Sequence, residues 1–270
     1  MIRNGVVNIG DTDMDYVAFG EGDNILIVLP GLSDGLATVK NKASLLARPY
    51  KPFFKDYSVF MFSRKNRMPD GYSIRKMAED QSAVLNILGI SKASVLGVSE
   101  GGMIAQYLAI DYPELVKNLI LAVTAPNANP IVKHTISSWI EMAEKSDSVS
   151  LTVDTAEKMY SQSYLQKYRR FIPLISKITK PKSYDRFLVN AKAIMEFDAR
   201  SELFKIICPT LIISGSNDLI IGNQAPHELE REIPHSELYI YDGLGHGAFE
   251  EANDFYDRIF AFMDTTMKTN

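Results

Sequence analysis

The chain has 270 residues, enough to bury one large core with or without an insertion. Hydrophobic residues make up 46% and charged ones 23%, a globular balance, and a net charge of −4 excludes a general nucleic-acid binder. The single cysteine, Cys208, excludes an internal disulfide and reads as a small buried apolar residue.

Gly5 to Ile9 and Met14 to Phe19 read as two early strands with a turn at Gly10-Asp11. Before them, Met1 to Asp15 lacks the basic start and apolar core of a secretion signal. No run of about 18 apolar residues reads as a membrane span, so the expected location is the cytoplasm. Ile25 to Leu29 and Ser58 to Phe62 are continuous apolar runs, as expected of strands covered on both faces. Ser73 can cap a helix whose apolar positions, Ile74, Met77, Ala78, Val84, Leu85 and Leu88, fall three and four apart, and Gly89 ends it. The run Ala93 to Leu96 leads into Gly97-Val98-Ser99-Glu100-Gly101, and a helical segment follows until Tyr112-Pro113. Leu119 to Val123 is a further buried strand. From about Asn127 to Arg200 helical periodicity replaces strands, as in Ile136, Trp139, Ile140 and Ala143. Strands return at Thr210 to Ser214 and Glu237 to Tyr241, and Phe249 to Met263 forms a last amphipathic helix.

Strands alternating with helices predict an α/β fold, a mostly parallel central sheet flanked by helices. Residues 1–126 and 201–270 form its core, and 127–200 an inserted helical cap. Ligands of such sheets bind at the carboxyl ends of the strands. Ser99 lies at one such end, Asp218 follows the strand Thr210 to Ser214, and His246 follows Glu237 to Tyr241. A serine hydroxyl needs an imidazole to take its proton, and the imidazole needs a carboxylate to fix its tautomer. The Gly-x-Ser-x-Gly turn projects the hydroxyl, and Ser99, Asp218 and His246 are the catalytic candidates. Two backbone amides, those of Leu32 and Glu100, are expected to form the oxyanion hole. His134, His227 and His235 lack this context and read as surface residues.

The chain resembles the α/β-hydrolase superfamily over nearly its whole length. The resemblance rests on Leu29-Pro30-Gly31-Leu32, Gly97 to Gly102, Pro209 to Asp218, Gly245-His246-Gly247 and the run Asp198-Ala199-Arg200 ahead of the returning strands. It implies serine as nucleophile, aspartate as orienting acid and histidine as base. Three departures stand out. Pro30 replaces a histidine common in relatives, Ser63 to Met68 replaces a glycine-rich turn, and Thr124-Ala125-Pro126 carries no alternative acid. A serine nucleophile disfavours dehalogenase and epoxide-hydrolase chemistry.

The expected activity is metal-independent and cofactor-independent hydrolysis of a carboxylic ester of a small substrate carrying an acyl group. Thioester, lactone or carbon–carbon bond hydrolysis and acyl transfer use the same machinery, and a ligand-binding protein on this fold is the rival from another class. In the cap, Trp139, Tyr160 and Tyr164 are the expected substrate-binding residues. The basic run Lys167, Arg169, Arg170, Lys177, Lys180, Lys182 and Arg186 reads as a solvated face, or more sharply as contact with an anionic substrate part, which Arg64, Lys65 and Arg67 join only if their loop faces the same rim.

Overall fold

Strands β1 (Ile2–Ile9) and β2 (Thr12–Phe19) form an antiparallel hairpin around Gly10, whose positive φ suits the turn. The computed structural model describes residues 1–268, and all of their side chains except those of Lys177, Ile178, Met267 and Lys268. The chain continues through β3 (Asn24–Leu29), the short helix α1 (Ala43–Leu46), β4 (Tyr57–Phe62), α2 (Ile74–Ile87) and β5 (Ala93–Val98). Helix α3 (Glu100–Asp111) leads to β6 (Val116–Ala122). Five helices then follow without a strand among the described residues: α4 (Pro130–Glu144), α5 (Ser148–Met159), α6 (Gln162–Tyr168), α7 (Ile172–Thr179) and α8 (Asp185–Met195). Strand β7 (Thr210–Gly215), α9 (Ala225–Glu232), β8 (Ser236–Tyr241), α10 (Ala248–Glu251) and α11 (Phe255–Lys268) complete the fold.

The eight strands form one sheet in the order β1-β2-β4-β3-β5-β6-β7-β8. Strands β3 to β8 run parallel, and β2 is antiparallel to both its neighbours, β1 and β4. Both faces of the central strands are covered, which is why all six residues of β5 and of β7 are buried. On one face Ile27, Val95 and Leu119 pack toward α2 and α3. On the other, Val28, Leu96 and Ile120 meet Tyr50, Phe53 and Phe255, the last of these on α11.

The helical block enters and leaves through a narrow neck. Asn127 and Asp198 form a lone antiparallel bridge, flanked by Ala128 N–H donating to the Phe197 carbonyl and Ala199 N–H to the Pro126 carbonyl. The last helix differs from its expected single span. It breaks at Ala252, whose backbone is extended, and Asp254 beyond the break accepts from Tyr241 Oη instead of continuing a helix. Helices α1 and α9 are additions. Four residues are too few to show a period, and α9 buries only Ala225, Pro226 and Leu229 beneath a charged surface. No helix among the described residues is long and apolar enough to cross a membrane.

Candidate active site

Ser99 is the junction between β5 and α3, and its backbone is strained there, at φ 55° and ψ −118°. A non-glycine residue held at positive φ costs on the order of 1–3 kcal/mol, so the surroundings must fix it. They do so from three sides. Ser99 N–H donates to the Ala122 carbonyl at 2.9 Å, the Ser99 carbonyl accepts Thr124 Oγ1 at 2.7 Å, and Gly102 N–H reaches the same carbonyl at 2.8 Å.

The glycines around Ser99 are needed for space. A Cβ on Gly101 would overlap the Leu29 carbonyl, and one on Gly102 would lie 2.6 Å from the Thr124 side chain. The first obstacle is backbone and cannot swing aside. Gly101→Ala is expected to cost at least 1–3 kcal/mol, seen as a Tm lower by several degrees. A variant melting with the wild type would show that α3 can shift freely against β3.

The three polar side chains meet at the carboxyl edge of the sheet. His246 Nε2 lies 2.9 Å from Ser99 Oγ, and His246 Nδ1 lies 2.7 Å from Asp218 Oδ2. Asp218 Oδ1 accepts the amides of Ile220 and Ile221 at 2.8 and 3.0 Å. The Asp218 carboxylate is thus an acceptor on every side, which puts the imidazole proton on Nδ1. Nε2 is then free to accept the Ser99 hydroxyl proton. Asp218 and His246 are each only 4% exposed, so this chain of hydrogen bonds is shielded from bulk water.

Leu32 opens a 3₁₀ turn (Leu32–Gly35) after β3, and Glu100 opens α3. Neither amide has a hydrogen-bond partner among the described residues, as expected for the first N–H groups of a helical turn. Gly31 brings the first turn close, since a Cβ there would lie 3.2 Å from Ser99 Cβ.

A cavity of about 510 Å³ opens beside Ser99, within the range of small-ligand sites. From the helical block it is lined by Trp139, Leu151, Met159, Tyr160 and Phe187. Tyr164 is not in its wall. It stacks behind Tyr160 with ring centroids 4.2 Å apart. Glu250 Oε2 accepts the Tyr160 hydroxyl at 2.6 Å, and burial pushes the Glu250 carboxyl above its ordinary range. The basic run is not in the cavity wall either. Arg169 pairs with Glu157, Arg186 turns into the core, and the Lys177 side chain lies outside the described residues. His134, His227 and His235 are exposed.

Comparison with known proteins agrees with this arrangement of strands. The family model for the alpha/beta hydrolase fold matches residues 24–253. The chain belongs to the α/β-hydrolase fold family. It is 24% identical over 261 residues to 3-oxoadipate enol-lactonase 2 of Acinetobacter baylyi, covering 94% of each chain. Among solved structures it is similar to MGS-M2, an alpha/beta hydrolase enzyme from a Medee basin deep-sea metagenome library, with TM-score 0.84, 21% identity and coverage of 96% and 97% of the two chains. A thermophilic esterase from Thermogutta terrifontis superposes with TM-score 0.78 at 17% identity, covering 98% and 99%. At these identities the two structures establish a shared fold.

This α/β hydrolase also carries a buried ionic cluster behind Ser99 that the sequence did not disclose. Arg64 Nη2 donates to Glu100 Oε2 at 2.8 Å, with the two side chains 1% and 0% exposed. The Arg64 amide donates to Asp34 Oδ2 at 2.9 Å, and Arg186 Nη2 of α8 donates to the same oxygen at 3.1 Å. Burial pushes the Glu100 carboxyl up to about 7, against the opposing pull of the Arg64 guanidinium. Asp34 belongs to the turn that Leu32 opens, and Glu100 follows Ser99. One cluster therefore braces both segments that carry the unpaired amides. Lys65 pairs with Asp80 at 3.0 Å, and exposed Arg67 lies against Asp11, so neither reaches the cavity. Far from this site, burial pushes the Cys208 thiol up to about 11, which makes it a poor nucleophile at neutral pH.

Proposed function

We propose that the chain is a serine hydrolase of carboxylic esters that works through an acyl-enzyme on Ser99. The observation that carries this reading is the continuous relay from Ser99 Oγ to His246 Nε2 and from His246 Nδ1 to Asp218. Ser99 Oγ attacks the ester carbonyl carbon while its proton passes to His246. The carbonyl oxygen gains negative charge and is held by the Leu32 and Glu100 amides. The carbon–oxygen bond to the alcohol then breaks, and His246 returns the proton to the departing oxygen. Water attacks the acyl-Ser99 ester next, giving its proton to His246, and the acid leaves as Ser99 regains a proton. Asp218 stays ionised throughout and stabilises the imidazolium.

The resemblance to a named lactonase supports the reading, because a lactone is a cyclic ester opened by the same sequence of bonds. The helical block supplies a roof for the substrate, with Trp139 and Tyr160 as the aromatic contacts.

A fluorophosphonate probe is expected to label the wild type and not Ser99→Ala. A panel of esters, thioesters and lactones is expected to release free acid without any added acceptor alcohol. No label and no cleavage would sink the hydrolase reading in favour of a binding protein. Acyl product formed only with an acceptor present would mark a transferase.

A further inference from the structure

The cavity beside Ser99 extends beyond the space under the helical block. It continues down the face of the sheet that packs against Tyr50 and α11. Val28 of β3 pairs with Met61 of β4 on one side and with Leu96 of β5 on the other. These three side chains form one row across the sheet, and all three line the cavity. Leu96 precedes Ser99 by three residues, so the row lies about 10 Å down the strand from the hydroxyl. Tyr50, Phe255 and Tyr256 line the space facing this row, with Tyr50 and Tyr256 edge to face at 5.0 Å.

The geometry of attack decides what this recess receives. The tetrahedral carbon bears Ser99 Oγ, the oxyanion, the leaving oxygen and the rest of the acyl group. The oxyanion points to Leu32 and Glu100. The leaving oxygen must take a proton from His246, so it lies on the histidine side. His246 reaches Ser99 from beyond β8, across β7 and β6. There Gly247 N–H donates to the Met159 carbonyl at 2.7 Å, and Tyr160 packs on Gly247, so the alcohol part lies beneath the end of α5. The remaining direction runs the opposite way, from β5 toward β3 and β4, into the recess.

The chemistry of the wall narrows the occupant. Among the described residues no lysine or arginine lines the cavity, and Glu250 is its one acidic side chain. The recess itself is bounded by apolar and aromatic groups. A carboxylate carried there would be buried without a counter-charge.

Resting on the ester-hydrolase reading, we propose that the recess floored by Met61, Val28 and Leu96 and faced by Tyr50, Phe255 and Tyr256 is the acyl site, and that the substrate is an ester of an uncharged acyl chain longer than acetyl. The acyl chain lies against the sheet and the alcohol against the helical block. The cap candidates Trp139 and Tyr160 therefore contact the alcohol side.

The test uses the full chain and p-nitrophenyl esters, so that the leaving group stays constant. From acetate through butyrate, hexanoate and octanoate, kcat/KM is expected to rise roughly threefold per methylene, about a hundredfold over four methylenes. The monoester of adipic acid, which is hexanoate with its terminal methyl replaced by a carboxylate, is expected to be poorer than hexanoate by at least about a hundredfold. Leu96→Phe fills the recess and is expected to lower the octanoate-to-acetate ratio by at least tenfold. Tyr256→Ala, at a half-buried position, opens the wall and is expected to raise the dodecanoate-to-octanoate ratio. Ratios within one protein sample are insensitive to the fraction folded, and the two variants must move in opposite directions. Ester cleavage with a flat chain-length profile, equal rates for adipate and hexanoate, or ratios unmoved in both variants would overturn the acyl assignment alone. No cleavage and no fluorophosphonate label would overturn the ester reading along with it.

Discussion

Ser99→Ala is expected to lower kcat for a p-nitrophenyl ester by about 10⁶-fold, with the fold intact. The size follows from the relay. Among the described residues His246 Nε2 meets no other donor or acceptor, so removing Oγ leaves the imidazole and Asp218 with nothing to activate. A residual rate should persist above that of free water, because the Leu32 and Glu100 amides still polarise a bound carbonyl. The methyl group of alanine fits where the serine methylene stood, and the backbone bonds from Ser99 to Ala122, Thr124 and Gly102 do not use the side chain. Binding of a product acid, followed by its inhibition of a fluorescent ligand or by calorimetry, should therefore survive. Activity retained within tenfold of wild type would remove Ser99 as nucleophile.

Arg64→Met carries the largest expected loss of stability, about 3–5 kcal/mol, or a fall in Tm on the order of 10 °C. The guanidinium is the ionic partner of a fully buried Glu100 carboxylate. Without it Glu100 can be accommodated only by taking a proton, and burial already pushes that carboxyl up to about 7 with Arg64 in place. Replacing both partners, as Arg64→Met with Glu100→Leu, should recover most of the stability, since an apolar pair of similar volume carries no desolvation penalty. The double variant also separates two roles. If the pair only fills space, kcat recovers with Tm. If it holds the Glu100 amide in place, Tm recovers while kcat stays low by about 10²–10³-fold, the usual cost of a displaced oxyanion donor, with KM little changed. A single variant that melts with wild type would show the pair to be dispensable.

The parts of this molecule that were legible in the sequence are those fixed by nearby residues. The central strands are mostly apolar runs because both faces are covered; Ser99 and Asp218 each follow one of these, and His246 follows the half-buried edge strand β8. Their order along the chain was enough to place them at one edge. Arg64 was opaque because its burial depends on Glu100, which lies 36 residues away in sequence. Seen alone, Ser63-Arg64-Lys65 is a polar loop. Tyr164 was misplaced for a similar reason. It stands four residues after Tyr160, a spacing that shares a face only in a continuous helix. The chain turns at Tyr160, where the backbone is extended, before Ser161 caps α6. Met61, Val28 and Leu96 were invisible as a recess because core and cavity residues have the same composition. What separates them is whether the element opposite leaves room, and that is decided by α11, at the far end of the chain.

The narrow neck between Asn127 and Asp198 has a consequence for how such a protein can be re-engineered or diversify. Ser99, Asp218, His246 and the proposed acyl recess are all built from segments outside it. The five helices inside it could be exchanged as a cassette, cut at the paired backbone of Ala128 and Phe197, and alcohol preference would travel with the cassette while the acyl preference stayed behind. Several polar contacts cross the cut: Tyr160 Oη donates to Glu250, Gly247 N–H to the Met159 carbonyl, and Asn129 Nδ2 to the Ile221 carbonyl. Arg186 also reaches out of the cassette to Asp34, so a donor segment without a cation at that point would leave a buried carboxylate without its ionic partner beside the Leu32 turn. Compatibility between cassettes and chassis would thus depend on these polar partners as well as on the fit of the apolar surfaces.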